Sequence, residues 1–188
     1  MKIYFDGCSH TWGSELTDLN SRYSKIISNY YDAEEYNIAE RGGSDKRMVR
    51  NLLEHDLTQY DMFVIQMTGK NRTEYYYNGW KKVNWNTIFY KVDFKGKDSV
   101  SKEIKQTWHD YYTLIHTEEL ADSNQLINYT VIKGLIEHKP HVIIGIDNSD
   151  KLPLNFSYNK DLPRAKGGHP SELGHNKIAS DIINENLL

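Results

Sequence analysis

The run Met62-Phe63-Val64-Ile65-Gln66-Met67 is apolar at every position except Gln66. A strand that is apolar on both faces must be covered on both, which is the situation of an inner strand in a parallel sheet packed between helices. The rest of the chain supplies the parts that such a sheet needs. Lys2–Phe5 reads as a short strand ending at Gly7, Glu35–Ala39 as a second, and His141–Asp147 as another after the helix-stopping Pro140. Between the first two, Leu16, Leu19, Tyr23, Ile26, Ile27 and Tyr30 recur at three- and four-residue spacing, which predicts a helix over 16–30. Ser44 or Asp45 can cap a helix carrying Met48, Val49, Leu52 and Leu53. Further helices are predicted over 102–120, 124–138 and 171–186, the last burying Leu173, Ile178, Ala179, Ile182 and Ile183. Strand–helix alternation of this kind predicts a three-layer α/β/α sandwich with a mostly parallel central sheet, flavodoxin-like in outline. Residues 1–188 form one domain in this reading. An aromatic-rich insertion occupies about 69–100, with Tyr75, Tyr76, Tyr77, Trp80, Trp85, Phe89 and Tyr90, and a hairpin around Asn78-Gly79.

Charge and composition remove several function classes. The formal net charge of -3, with Lys and Arg dispersed, argues against nucleic-acid binding and against attraction to an anionic membrane surface. Cys8 is the single cysteine, so the chain has no internal disulfide. No apolar run reaches spanning length, and the opening residues lack a signal-peptide core. A cytoplasmic location is therefore expected, with export by a route without a cleaved signal, or incorporation in a virus particle, as the alternatives. The histidines lack tight ligand spacing, so neither a metal nor another cofactor is expected.

In open parallel sheets, ligands sit outside the carboxyl ends of the strands. Ser9, Gly43, Thr68–Arg72 and Asp147 fall there. Ser9 follows the first strand at a helix start, where backbone N–H groups can stabilise an oxyanion and a nearby base can activate the hydroxyl. A helix-capping serine explains the same position, and Cys8 is a competing nucleophile. His169 stands between Gly168 and Pro170 on a loop before the last helix, and Pro170 restricts its backbone. His10 adjoins Ser9 and can line the site, while His175 suits a structural role.

Gly7-Cys8-Ser9-His10-Thr11-Trp12-Gly13 resembles the first block of the SGNH (GDSL-like) hydrolase family, and Gly168-His169-Pro170 through Gly174-His175 to Ile178-Ala179 is similar to its last block. The Gly-Cys-Ser variant also resembles small SGNH-like proteins of phage genomes. The resemblance spans nearly the whole chain and implies an SGNH fold. It makes Ser9 the nucleophile and first oxyanion donor, His169 the general base, Gly43 a backbone donor and Asn71 a side-chain oxyanion donor, with Thr68 or Arg72 alternatives for that space. Two positions depart from the pattern. Lys166 stands three residues before His169, where the family has the Asp that orients the ring; a backbone carbonyl, Asp161 or Asp147 are the alternatives. Cys8 stands where Asp is usual.

Together these readings lead to an esterase that uses no cofactor. Its substrate would be a small-molecule or carbohydrate ester, such as a carbohydrate O-acetyl ester, with substrate contacts from His10, Thr68, Arg72 and Trp80. Glu74 and the insertion's other aromatic rings would add to them, unless those rings form the core of a small cap. The alternative is a glycan-binding or virion-associated protein on a scaffold that has lost catalysis.

Overall fold

The computed structural model describes residues 1–76, 79–86, 91–95, 101–146, 151–158 and 161–184. Five parallel strands, β1 (Lys2–Asp6), β2 (Glu34–Asn37), β3 (Met62–Met67), β7 (His141–Ile146) and β8 (Phe156–Tyr158), form one sheet in the order β2-β1-β3-β7-β8. Strands β4 (Arg72–Tyr76), β5 (Trp80–Asn86) and β6 (Lys91–Lys95) form a separate antiparallel sheet. The helices are α1 (Ser9–Trp12), α2 (Tyr23–Tyr30), α3 (Asp45–Glu54), α4 (Lys102–Leu114), α5 (Glu118–Ile136) and α6 (Glu172–Asn184).

Alternation along the parallel strands divides the core into two halves. Ile3, Phe5, Met62, Val64, Val142 and Ile144 face Tyr23 and Ile27 of α2 and Ile178, Ala179 and Ile182 of α6. The residues between them, Tyr4, Phe63, Ile65, Met67 and Ile143, face Met48 and Leu52 of α3 and Tyr129, Ile132 and Ile136 of α5. This is the three-layer sandwich, and β3 is buried at all six positions. Each such aliphatic side chain stabilises the fold by roughly 1.5–3 kcal/mol on burial.

Several element boundaries differ from the sequence reading. The predicted helix over 16–30 is a short 3₁₀ turn at Leu19–Ser21 followed by α2, because Asp18 accepts from the Asn20 N–H (2.9 Å) and Arg22 is extended. Side-chain acceptors of this kind compete with helix continuation. Helices α4 and α5 divide at residues 115–117 rather than at 120–124, where the Thr117 hydroxyl accepts from the Leu120 N–H (3.2 Å) and caps α5. Ser44, not Asp45, caps α3. Leu173, expected in the core, is 71% exposed, and His175 takes the buried place at 0%. The sequence reading has no counterpart to the three-residue β8, which is too short to show a period.

The insertion is the antiparallel sheet, and Gly79 turns its first hairpin with φ 102. Tyr75, Val83, Trp108, Tyr111 and Tyr112 form a small second core between this sheet and α4. Glu74, read as a substrate contact, is instead 2% exposed and paired with Arg50 of α3, at 2.8 Å from Nε and 3.2 Å from Nη2. It fastens the small sheet to the large domain. Tyr77, Asn78, Phe89 and Tyr90 lie outside the described residues.

At the end of β1, Asp6 is fully buried and accepts from Arg47 Nη1 (2.8 Å), Asn51 Nδ2 (2.8 Å) and the Gly7 N–H (2.7 Å). Arg47 also donates to the Ile38 carbonyl (2.6 Å), so one guanidinium joins α3 to the exits of β1 and β2. Arg47→Met leaves the Asp6 carboxylate buried without its counter-charge, and should cost about 3–5 kcal/mol of stability by urea unfolding.

Candidate active site

The turn after β1 is built on Gln66, the polar interruption of β3. Its Oε1 accepts from the Cys8 N–H (3.1 Å), Cys8 Sγ (3.2 Å) and Thr11 Oγ1 (3.1 Å). Gly7 permits this approach, since a Cβ there would lie 2.2 Å from Thr11 Oγ1 and 2.8 Å from Gln66 Oε1. Cys8 is thereby turned into the core at 1% exposure, and Ser9 becomes the first residue of α1. Ser9 Oγ makes one long contact, to Cys8 Sγ at 3.9 Å.

Across from it, the loop before α6 holds His169. The ring lies edge-on to His10 with centroids 5.3 Å apart and planes at 81°, so the two ends of the chain meet. His169 Nδ1 is 2.7 Å from Glu15 Oε2. The same carboxylate accepts from the His169 N–H (3.1 Å) and the Gly167 N–H (2.6 Å). A Cβ on Gly167 would lie 2.6 Å from Glu15 Oε1, so the glycine makes room for the carboxylate. Glu15 itself sits at φ 71, a left-handed conformation that costs a non-glycine residue of the order of 1 kcal/mol. With three donors on one carboxylate, the Glu15 carboxyl is held below the usual carboxylate range, chiefly by the His169 side chain. With Nδ1 donating to Glu15, the neutral imidazole presents Nε2 as its proton acceptor.

Glu15 was absent from the sequence reading. Of the candidates named there, Asp161 is exposed and Asp147 lies outside the described residues. The signal that pointed to a missing partner was Lys166, which cannot accept a proton; nothing near Glu15 in the sequence marks it as the answer.

The other expected site residues divide. Gly43 lies against the nucleophile turn, its would-be Cβ 2.8 Å from the Gly7 carbonyl oxygen and 3.7 Å from Cys8 Cα. Its N–H, however, donates to the Glu40 carbonyl (2.9 Å), so the backbone donor expected there is engaged. Thr68 is 1% exposed, and both its N–H (2.7 Å) and hydroxyl (2.9 Å) donate to Asp45 Oδ1, which makes it a strut rather than a substrate contact. Asn71 is drawn toward the α4–α5 junction, with Oδ1 3.0 Å from His116 Nε2 and its carbonyl accepting from the Tyr112 hydroxyl at 3.2 Å. Trp80 packs beside Tyr76 (5.5 Å) and under the Arg50 guanidinium (4.7 Å), on the small sheet.

Arg72 lines a cleft of about 500 Å³ together with Asp45, Trp108, Tyr111, Tyr112 and Gln125. Ser9 and His169 are not part of the cleft wall; Asp45 of that wall is two residues from Gly43, which lies against the nucleophile turn. Burial, helped by the charges of His169 and Arg72, lowers His10 to about 3. His175 is lowered to about 4, first by burial and then by Arg22 and His169; its Nδ1 accepts from the Tyr23 N–H (3.2 Å). Burial pushes Asp45 up to about 6.

These shifts set the acid response. A histidine with a depressed folded value binds fewer protons folded than unfolded, so His175 makes stability rise with pH between about 4 and 6.5, and His10 does so from about 3. Asp45, raised from 3.8 to about 6, works in the opposite direction over that interval. Asp6, raised by burial, opposes the histidines as Asp45 does, while His116, lowered by burial, joins them. With three lowered histidines against two raised carboxyls, urea unfolding should show stability rising from about pH 4.5 to about pH 6.5; a curve that falls over this interval would contradict the buried neutral histidines.

No protein-family model matches this sequence, and no curated protein matches it. Solved structures share its fold. TesA superposes with a TM-score of 0.57 at 10% identity, covering 100% of both chains. A lipolytic protein of the G-D-S-L family from Veillonella parvula gives 0.53 at 12% identity, over 98% of this chain and 97% of its own. A family two carbohydrate esterase from Clostridium thermocellum, solved with cellohexaose, gives 0.52 at 14% identity, over 98% of this chain and 62% of its own. The chain thus has the α/β fold of the SGNH hydrolases, with a mostly parallel sheet between helices. Among the described residues no helix is long and apolar enough to cross a membrane.

Proposed function

We propose that the protein is a serine hydrolase acting on an ester, with Ser9 as nucleophile, His169 as base and Glu15 as the carboxylate that orients His169. The observation that carries this reading is the 2.7 Å contact between Glu15 Oε2 and His169 Nδ1, on a ring packed against the residue after Ser9. His169 Nε2 takes the Ser9 proton as Oγ attacks the acyl carbon. The tetrahedral intermediate collapses, the alcohol leaves with the proton from His169, and an acyl-serine remains. Water, deprotonated by His169, then releases the acid. The Glu15 carboxylate stabilises the transient imidazolium and holds the ring in the productive tautomer. Carbohydrate esters are the favoured substrate class, supported by the carbohydrate esterases among the structures of the same fold.

A second reading is a glycan-binding protein that has lost turnover, in a host cytoplasm or on a virion. The engaged Gly43 N–H favours it, since that donor is unavailable to an oxyanion. A fluorophosphonate probe separates the two. The hydrolase labels at Ser9, located by peptide mass spectrometry, and gives burst release from an activated acetyl ester. Labelling at Cys8 would overturn the serine mechanism, and no labelling together with glycan binding would establish the second reading.

A further inference from the structure

The cleft whose wall includes Asp45, two residues from Gly43 at the nucleophile turn, carries more cationic character than the chain as a whole, whose net charge is -3. Three cations line it, Lys46, Lys70 and Arg72. Lys70 is neutralised by Glu118 and by Asp122, the latter at 2.6 Å. Among the described residues no ion pair is formed by Lys46 or by Arg72, which is half-buried. The nearby Asp45 carboxylate feels the Arg72 charge but does not pair with it, its Oδ1 being occupied by two donors from Thr68 and its Oδ2 approached by Gln125 Nε2 at 3.5 Å. The guanidinium donors of Arg72 thus remain open to an anionic ligand.

The remaining lining is suited to a polyhydroxylated ring. Trp108 and Tyr111 on α4 are half-buried and offer amphipathic aromatic surface. Asn124 and Asn128 stand one helical turn apart on α5, so both carboxamides project on one face, each with donors and an acceptor for hydroxyl groups. The volume of about 500 Å³ lies within the roughly 300–1,000 Å³ of small-molecule sites.

We propose that this cleft receives the alcohol portion of the ester, and that this portion is a sugar bearing a carboxylate, paired by Arg72. The proposal rests on the hydrolase reading for its ester, though not for its binding. A planar carboxylate matches the fork of a single guanidinium, and charge-assisted pairs of this kind are the strong ones. Lys46 adds a longer-range attraction at the rim, and the aromatic wall carries the ring.

A matched pair of substrates tests it: an O-acetylated methyl glucuronoside and the corresponding methyl glucoside, which differ by the carboxylate. Wild-type protein should favour the uronoside by roughly ten- to hundredfold in kcat/KM. Arg72→Gln should remove that preference, and Arg72→Lys should restore part of it. Calorimetric titration of the Ser9→Ala protein with methyl glucuronoside reads binding without turnover; affinity should fall with added salt and fall further in the Ser9→Ala, Arg72→Gln double variant. Equal turnover of both esters, or a preference that survives Arg72→Gln, would overturn the proposal while leaving the hydrolase reading intact. Arg72-dependent uronoside binding with neither ester hydrolysed would do the reverse. Tighter binding of the sugar 6-phosphate than of the uronoside would overturn the carboxylate assignment.

Discussion

Ser9→Ala should lower kcat/KM for an activated acetyl ester by roughly 10⁴- to 10⁶-fold and abolish fluorophosphonate labelling. The loss is expected to be chemical rather than structural. Among the described residues Ser9 Oγ makes only a 3.9 Å contact with Cys8 Sγ, so its removal breaks no strong hydrogen bond there and opens no sizeable cavity. The neighbouring thiol cannot substitute for it, because Cys8 Sγ donates to Gln66 Oε1 at 3.2 Å and the residue is 1% exposed. Thermal unfolding close to wild type, together with lost turnover, is the expected pair of results. Activity retained in this variant would remove Ser9 from the mechanism.

Glu15→Gln should reduce kcat by roughly 10²- to 10⁴-fold with little change in KM. Both carboxylate oxygens are acceptors here: Oε1 from the Gly167 N–H, and Oε2 from the His169 N–H and Nδ1. A glutamine must direct its amide hydrogens at one of these donors, and the ring is then free to take the wrong tautomer. The charge that stabilises the imidazolium is also lost. The Glu15 carboxyl is depressed by these same donors, so its contribution is complete above the ordinary carboxylate range and disappears only as pH falls through the lowered folded value. It is therefore ionised at neutral pH, where a histidine base works. Glu15→Gly separates support from strain. Glycine adopts φ 71 freely, so that variant should unfold at nearly the wild-type temperature while losing turnover as Glu15→Gln does. Full activity in either variant would reduce the site to a Ser9–His169 pair.

Most of the sheet was legible in the sequence, for a local reason. β3 apart from Gln66, and β7 after His141, carry no polar side chain, and a strand's burial is written in its own residues. Gln66 was visible as an anomaly in that run, but its purpose was not. Its acceptor serves Cys8 and Thr11, 58 and 55 residues away. Helix ends were read less well where a single side-chain acceptor decides them, as at Asp18 and Thr117. Leu173 followed the helical period closely enough to be placed in the core, yet the helix turns Gly174 and His175 inward instead. Gly174 is held there because a Cβ would lie 2.3 Å from the Pro163 carbonyl oxygen.

The site divides along the same line. Ser9 and His169 were named from motif-like neighbourhoods, since a nucleophile turn and a loop before the last helix each need particular residues within a few positions. Whether Gly43 and Asn71 present donors depended on Glu40 and His116, which compete for those same groups in the folded chain. Sequence alone determined a parallel sheet between helices, a serine at the exit of its first strand and a histidine before its last helix. Only the tertiary structure decided which acid stands behind that histidine. Glu15 and His169 are 154 residues apart, and their contact exists because β1 and α6 pack into one core that brings the exit of β1 to the loop before α6. A hydrogen bond specifies atoms within 3 Å of each other but leaves no periodicity in sequence, so it becomes readable only after the core has set the distance.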